Sequence, residues 1–370
     1  MKLIFFLVSF CLITLRVYFS WSGRDRHNRG LSESDMVIKS DNFYEEIKWL
    51  GKFQLNEEEN DFKSISPGGY FKFKRNELSV KAESNIKGEI EYTIYEGDNK
   101  LGMDKRGRQL IAQAIREMIN WGFDGEQRMN RLYNKGGWRA LLVEVDSMKT
   151  DQLKGMYLAR LFKDSLSADS LSPVVEKIKS IGSDMDKAQF LEKISPTQLN
   201  HPQIAQIYFD VLNNIGSDMD KANVLRHAMD LDSISTDIIG RILKSSSRLG
   251  SDMDKANLYQ DMIRKVLIKG PYYDSLLNLV SAIGSDIDKT NIYRAMLNEK
   301  TITESQWISL MDNTTHLGSD MDKANLFIDI AHKMLKTELT HAAYMKAAKS
   351  IGNDNDYGRV MRAMETDKIN

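Results

Sequence analysis

The heptapeptide IGSDMDK at residues 181–187 decides the fold of this chain, because it returns at one fixed spacing. Consecutive copies lie 34 residues apart, as do Gly182 and Gly216. The further copies are 215–221, 249–255, 283–289, 317–323 and a degraded one, IGNDNDY, at 351–357. A period of this length is typical of stacked supersecondary units, none of which can bury its apolar face alone. The chain is therefore predicted to be a repeat protein over more than half its length.

The motif is predicted to end one helix and start the next. Apolar residues recur at helical spacing up to Gly182, where a left-handed residue would end the helix. Ser183 would cap the next helix through Asp186, in a capping box with Asp in place of the usual Glu. The predicted capping residues are Gly182, Ser183, Asp186, Gly216, Ser217, Asp220, Gly250, Ser251, Asp254, Gly284, Ser285, Asp288, Gly318, Ser319 and Asp322.

Four columns of residues in the 34-residue register predict a continuous core. One is apolar and begins at Met185, one is small and begins at Ala188, and two are bulky and begin at Phe190 and Leu191. Small residues permit close approach of helices while large ones interdigitate. We therefore expect all four columns to be buried, the methionine column included. Its members are Met185, Met219, Met253, Ile287 and Met321, with Asn355 in the last copy.

Each unit is predicted to be an αα-hairpin, with helices near 203–215 and 218–229 in one copy. About seven such units would occupy residues 135–370 as an α-solenoid. The first and last are atypical, as expected of repeats that present one face to water. The length equals that of a tetratricopeptide repeat, but the Trp, Leu-Gly, Tyr and Pro pattern of that family is absent.

The region before the repeats has the period of strands. Residues 69–74 and 89–94 alternate apolar with charged side chains, and Gly, Pro and Asn clusters separate such runs. We predict an antiparallel β module of four or five strands at 42–103, then a helical connector at 104–134. The fold class is therefore α+β, a small N-terminal antiparallel sheet followed by the α-solenoid.

The N-terminus indicates export. Residues 3–15 are an almost unbroken apolar run, so residues 1–20 are interpreted as a signal peptide, or as an anchor if the run through 3–19 remains in the membrane. Residues 21–41 are interpreted as a tether, part of which could form an edge strand. We expect a periplasmic, extracellular or membrane-anchored protein. Cys11, the only cysteine, lies in this segment, so the rest of the chain has no disulfide, thiol nucleophile or cysteine zinc ligand.

Charge and motifs exclude several classes of function. The 52 acidic and 51 basic residues nearly cancel, so no global field attracts nucleic acid. The six histidines form no H-E-x-x-H motif, and no G-x-S-x-G, phosphate-binding or dinucleotide fingerprint is present. We expect no enzyme, cofactor or metal. A hydrolase in the β module is the weakest alternative.

Two features of the motif invite binding hypotheses. The repeated Asp-x-Asp suggests calcium, but a full loop needs further oxygens and a turn outside a helix. The lysines at 187, 221, 255, 289 and 323 could form a basic stripe, but each lies near two aspartates. A solvated ridge of alternating charge is the favoured interpretation.

Trp121 and Trp138 flank the junction between the connector and the repeats. Aromatic residues at such positions usually pack the junction. The alternative is a ligand site at this seam or in the β module.

The stretch DFKSISPGGYF at 61–71, followed by Ser-Asp-x-Asp-Lys repeats, resembles a group of uncharacterised bacterial extracytoplasmic proteins. In some relatives a similar region follows a membrane metallopeptidase of the β-lactam-sensor type. The resemblance covers roughly residues 40–365 and implies a β module, a helical array and a sensory or envelope-associated role. No peptidase residue is carried over, because this chain lacks the zinc-binding helix.

Two functional hypotheses follow. The favoured one is a non-enzymatic exported scaffold whose repeat surface binds another protein or an envelope component. The alternative is a membrane-anchored regulatory sensor with a ligand site in the β module or at its seam with the repeats. The sequence leaves the partner and the oligomeric state open.

Overall fold

The computed structural model describes residues 16–20, 33–40, 43–163, 166–230, 235–265, 271–299 and 302–366. Most of the predicted export segment, 1–15, and part of the predicted tether, 21–32, lie outside the described residues. The chain divides into two compact units. The first contains residues 1–137 and 147–153, and the second contains 138–146 and 154–370.

The first unit contains an antiparallel sheet with strand order β1-β2-β3-β6-β7-β8-β9 and a separate β4-β5 hairpin. The strands are β1 (Arg16–Ser20), β2 (Glu33–Ser40), β3 (Phe43–Leu50), β4 (Phe53–Leu55), β5 (Phe62–Ile65), β6 (Tyr70–Arg75), β7 (Leu78–Ser84), β8 (Ile90–Glu96) and β9 (Asn99–Leu101). The antiparallel sheet is thus confirmed. The order is a meander interrupted once, where the hairpin lies between β3 and β6.

One face of this sheet is apolar because its strands alternate. Ile47, Phe73, Val80 and Ile94 are partners in neighbouring strands, so they form one row across the sheet, and all are buried. Helix α1 (Lys105–Asn120) contributes its own buried stripe to the same core. Its apolar spacing of three and four residues explains why one helix covers the apolar face.

Three expectations for this region need correction. The sheet has seven strands among the described residues and not four or five, because β1 and β2 lie outside the predicted module, whereas β3 and β6 to β9 lie within 42–103. Residues 33–40 of the predicted tether form β2, which pairs with β3 along its whole length. Residues 16–20, assigned to the export segment, form β1 against β2. Val17, Tyr18 and Phe19 are residue types with high β propensity, which favours pairing at this edge. The export segment at 1–20 stays a prediction.

Two glycines determine how the helices after the sheet end. Gly122 has a φ of 101°, and the N–H groups of Gly122 and Phe123 donate to the carbonyls of Ile119 and Met118. This is the left-handed termination common at helix ends. Helix α2 (Gly125–Val145) is interrupted at Gly137, where φ is 62° and ψ is −155°. The division between the two units lies at this residue.

The second unit is a stack of helices in a repeat arrangement, as an α-solenoid requires. They are α3 (Asp151–Leu161), α4 (Ala168–Lys177), α5 (Asp184–Leu191), α6 (Pro196–Leu199), α7 (Pro202–Asn213), α8 (Asp218–Ala228), α9 (Thr236–Ser246), α10 (Asp252–Lys265), α11 (Pro271–Ser281), α12 (Asp286–Leu297), α13 (Glu304–Thr314), α14 (Asp320–Lys333), α15 (Glu338–Ala348) and α16 (Asp354–Thr366), with α3 beginning at the edge of the first unit. The helices that follow the motif contact one another in the series α5, α8, α10, α12, α14, α16. The helices that precede it form the parallel series α7, α9, α11, α13, α15. The α+β fold is therefore confirmed.

Candidate functional site

The serine of each motif caps the helix that follows it. Ser217 Oγ accepts the backbone N–H of Asp220 at 3.3 Å. The same bond is present at Ser183, Ser251, Ser285 and Ser319, and Asn353 replaces serine in the last copy. The reciprocal half of the predicted capping box is different. The N–H of Ser217 donates to Asp184 of the preceding repeat and not to Asp220.

The first aspartate of each motif joins one repeat to the next. Asp184 Oδ2 accepts the N–H groups of Gly216 at 2.8 Å and Ser217 at 3.1 Å. The same oxygen of Asp218, Asp252, Asp286 and Asp320 accepts the glycine N–H of the following copy at 2.7 to 3.0 Å. We call this contact the aspartate staple. It satisfies backbone donors at the start of a helix, which have no partner within the helix itself.

The aspartate staple gives the glycine of each motif a different role from the one that the sequence predicts. None of Gly182, Gly216, Gly250, Gly284, Gly318 and Gly352 has a positive φ, so the expectation of a left-handed helix end is wrong. The helix before Gly216 instead tightens, since Ile215 N–H donates to the Leu212 carbonyl. A Cβ at residue 216 would lie 3.0 Å from Asp184 Oδ2. Glycine is needed here because it leaves room for the carboxylate.

The lysine of each motif is largely covered, whereas the sequence predicted a solvated ridge. Lys187 and Lys323 are only 8% exposed, and the side chains of the other three are similarly covered. Lys187 Nζ lies 3.2 Å from Asp184 Oδ1, and Lys323 Nζ donates to the Ser350 carbonyl at 3.1 Å. The predicted opposite-charge pairs exist, but they are largely removed from solvent. The physical reason is that residue 187 shares a helix face with the buried Leu191, four residues later.

The environment of Asp184 favours its charged form. Burial by itself raises the pKa of this carboxyl, but the N–H groups of Gly216 and Ser217 and the ammonium of Lys187 outweigh it. The net effect is a pKa below the ordinary value of an aspartate. The staple is thus a charge-assisted hydrogen bond, the stronger kind.

Three of the four predicted core columns are buried, and one is not. The columns that begin at Ala188, Phe190 and Leu191 lie in the interior. The methionine column is exposed at every position. The exposed fractions are 58% for Met185, 61% for Met219, 65% for Met253, 70% for Ile287 and 58% for Met321. The expectation that this column belongs to the core is wrong.

Helical geometry gives the reason for this exposure. Residue 185 shares its face with residue 189, four positions later, and Gln189 is also exposed. The buried face carries Lys187, Ala188 and Leu191 instead. The spacing of residues 185 and 189 in the motif contains this signal, whereas the apolar character of residue 185 does not.

The second aspartate of each motif follows this exposed residue in the sequence. Asp186, Asp220, Asp254, Asp288 and Asp322 are half-buried. Within the described ranges, no basic side chain lies within ion-pair distance of any of these five carboxylates. The last copy differs, since Arg359 lies 2.9 Å from Asp356. The surface therefore combines apolar side chains with carboxylates that have no cation.

The two tryptophans of the predicted seam belong to different units, and each has a partner in its own unit. Trp121 Nε1 donates to Glu45 Oε1 at 2.7 Å, and Arg75 lies 2.5 Å from the other oxygen of that buried carboxylate. The guanidinium of Arg139 lies 4.5 Å from the ring centroid of Trp138. These contacts favour packing roles. The ligand site at the seam stays a prediction.

The first unit contains a cavity of about 650 Å³ between the β4-β5 hairpin and the start of α2. Phe53 and Phe123 stack at 4.3 Å on its wall, and Leu55 and Leu132 add apolar surface. Charged side chains at its rim include Lys63, Lys135, Glu57 and Glu58. A volume of this size can hold a small molecule.

Two absences apply to the described part of the chain. No three His, Cys, Asp or Glu side chains lie there in an arrangement that could hold a metal ion. None of its helices has the length and apolar character that a bilayer crossing requires.

Comparisons with models of known protein families, with curated proteins and with solved structures gave no match. The resemblance to bacterial extracytoplasmic proteins therefore stays a prediction.

Proposed function

We propose that the protein is a non-enzymatic, exported interaction scaffold whose second unit, the helical repeat array, binds another protein through one surface. The exposed methionine column is the observation that carries this proposal. Of the eleven large hydrophobic side chains that are exposed among the described residues, five occupy this single register position. Scattered exposed apolar residues need no explanation, but a regular line of them indicates an interaction surface.

The repeat contacts support the proposal because they leave this line unused. The aspartate staple, the buried lysine and the three core columns join the repeats without the methionines. Methionine is flexible and polarisable, which suits it to surfaces that adapt to a partner. A stacked array also gives a partner several equivalent contacts in a line.

A pull-down with the full chain tests this function. The chain is immobilised and exposed to an envelope extract, and retained proteins are identified by mass spectrometry. The variant Met219→Ser with Met253→Ser should lose a partner that the unchanged chain retains. The matched control is Met103→Ser, an exposed methionine of the first unit. Identical retention by all three chains would contradict the proposal.

A second function, a small-ligand sensor, is favoured by the cavity beside Phe53 and Phe123. Its apolar wall and charged rim suit an amphiphilic molecule. The dye 8-anilinonaphthalene sulfonate should fluoresce on binding there. Leu132→Trp, which fills the cavity without removing the stacked ring pair, should abolish the signal. An unchanged signal would place the dye elsewhere and remove this support.

A further inference from the structure

We call the methionine column, together with the aspartate that follows each of its members in the sequence, the repeat ridge. It consists of Met185, Met219, Met253, Ile287 and Met321 together with Asp186, Asp220, Asp254, Asp288 and Asp322. The apolar members are more than half exposed. The two kinds of residue are adjacent in sequence in every copy, so the ridge repeats both with the period of the motif.

The two aspartates of one motif have different electrostatic surroundings. Asp218 accepts two backbone N–H groups and lies 3.9 Å from Lys221, so its charge is balanced locally. Asp220 supplies its own N–H to the serine cap, but its carboxylate has no cation within the described residues. Each repeat therefore contributes about one uncompensated negative charge to the ridge. A carboxylate is favourable at a helix N-terminus, which explains why an aspartate is tolerated at this position. It does not explain the exposed methionine that precedes the aspartate.

The last copy of the motif loses both features together. Asn355 takes the place of the methionine, and Arg359 neutralises Asp356 at 2.9 Å. The structural contacts of the motif nevertheless persist there. Asp320 still accepts the N–H groups of Gly352 and Asn353, and Asn353 still caps the helix. The staple and the cap thus persist where the ridge is lost, and the ridge is a separate property of five repeats.

The charge of the ridge selects among possible occupants. A second copy of this chain would bring a second line of carboxylates toward the first, and like charges in an interface are unfavourable. An anionic membrane surface would be repelled in the same way. A polypeptide with basic and apolar side chains satisfies both components, since its cations would pair with carboxylates that have none.

The spacing of the ridge indicates the conformation of such a polypeptide. Helices α8, α10, α12 and α14 contact one another in series, and packed helices have axes about 8–10 Å apart. A polyproline II segment completes one turn in about 9 Å, with three residues per turn. One apolar side chain every three residues would therefore meet one methionine per repeat.

We propose that the repeat ridge binds an extended basic segment of another protein, with apolar side chains at every third residue on the methionines and cations on the free carboxylates. This inference rests on the proposed interaction function and specifies the chemistry of the partner. It assigns affinity to the apolar column and selectivity to the carboxylate column. Electrostatic complementarity of this kind acts mainly on partner choice.

The test measures binding of labelled peptides to the full chain by fluorescence anisotropy. The probe has five Leu-Lys-Pro triplets, in which proline favours the extended form, and its matched controls replace lysine by glutamate or leucine by serine. The lysine probe should bind at least about tenfold more tightly than either control, a difference equivalent to about 1.4 kcal/mol. Equal binding of the lysine and glutamate peptides, or no binding of the lysine peptide, would overturn the proposal.

Variants assign the binding to the ridge. Met219→Ser with Met253→Ser, and separately Asp220→Asn with Asp254→Asn, should each raise the Kd for the lysine probe about tenfold or more. Met103→Ser and Asp312→Asn, which change an exposed methionine and an exposed carboxylate elsewhere, should leave it unchanged. If the controls lose as much affinity as the ridge variants, the site is not the ridge.

Two further outcomes would show that the ridge binds something other than a basic polypeptide. A dimer in light scattering that the paired methionine variant converts to a monomer would identify a second copy. Retention on phosphatidylserine vesicles that depends on the same methionines would identify a membrane. If the methionine variants lose a partner from extract while the lysine probe fails to bind, the proposed function stands and only the basic chemistry of the partner is wrong.

Discussion

Asp184 and Gly216, 32 residues apart in the chain, are joined by a hydrogen bond of 2.8 Å from the glycine N–H to Oδ2 of the aspartate. The bond connects the first turn of one repeat to the helix start of the next. Because the same pair recurs at five junctions, the motif acts between repeats as much as within one. The glycine and the first aspartate of the motif are therefore two halves of one contact.

Gly216→Ala should destabilise the protein by about 1 kcal/mol, because a Cβ 3.0 Å from the Asp184 carboxylate weakens a hydrogen bond to a charged group. The matched control is Gly240→Ala in α9, where an added Cβ has open space. That change should stabilise by about 0.5–1 kcal/mol through helix propensity. Urea unfolding followed by circular dichroism measures both. Equal effects of the two changes would contradict the close-approach role of Gly216.

Asp184 should make stability depend on pH at the acidic end. Its pKa is lowered in the folded protein, so its contribution is fully present above the unfolded pKa of about 3.9 and is lost as the pH falls through the lower folded pKa. Stability should therefore rise with pH in this window and level off above about pH 5. Asp184→Asn should flatten the profile, whereas Asp312→Asn, at an exposed position of α13, should not. Melting temperatures from pH 3 to pH 7 give the comparison.

Ser217→Ala should cost about 1 kcal/mol, because the N–H of Asp220 loses its cap. Ser217→Asn should be nearly neutral, since Asn353 already makes the same bond in the last copy. Thermal unfolding of the three chains separates the cap from a general effect of substitution. A large loss with asparagine would show that something other than the cap matters at this position.

Met219→Ser should change the free energy of unfolding by no more than about 0.5 kcal/mol, because most of its side chain is already in solvent. Leu225→Ala on the same helix should cost about 3 kcal/mol, since its fully buried side chain leaves a cavity. Equilibrium urea unfolding measures the difference. Comparable losses of unfolding free energy in the two variants would show that the Met219 side chain is buried.

Glu45→Ala should cost about 2 kcal/mol, because the indole N–H of Trp121 loses the Glu45 acceptor and Arg75 keeps the Glu117 carboxylate but loses that of Glu45. Glu45→Gln keeps an acceptor for the indole and should cost less. Tryptophan fluorescence during urea unfolding follows the change near Trp121. An alanine variant of unchanged stability would show that the buried carboxylate does not stabilise the first unit.

Much of this architecture could be predicted from the local pattern of residues. The period fixed the repeat arrangement, the serine marked each helix start, and alternation in 69–74 marked a strand close to β6. The number of strands could not be predicted in the same way. β1 and β2 come from segments interpreted as export signal and tether, and their pairing with neighbouring strands is a tertiary contact that the pattern within each segment does not show.

The sequence by itself determined that one motif of seven residues ends a helix, caps the next and sets a 34-residue repeat, because these are local properties of the backbone. Only the tertiary structure decided which side chains of that motif are covered. The carboxylate of Asp184 reaches the following repeat, Lys187 is buried beside it, and Met185 remains in solvent. The physical reason is that contact between neighbouring helices, and not the hydropathy of a residue, sets what is removed from water. That contact leaves an apolar, anionic ridge on which the proposed function rests.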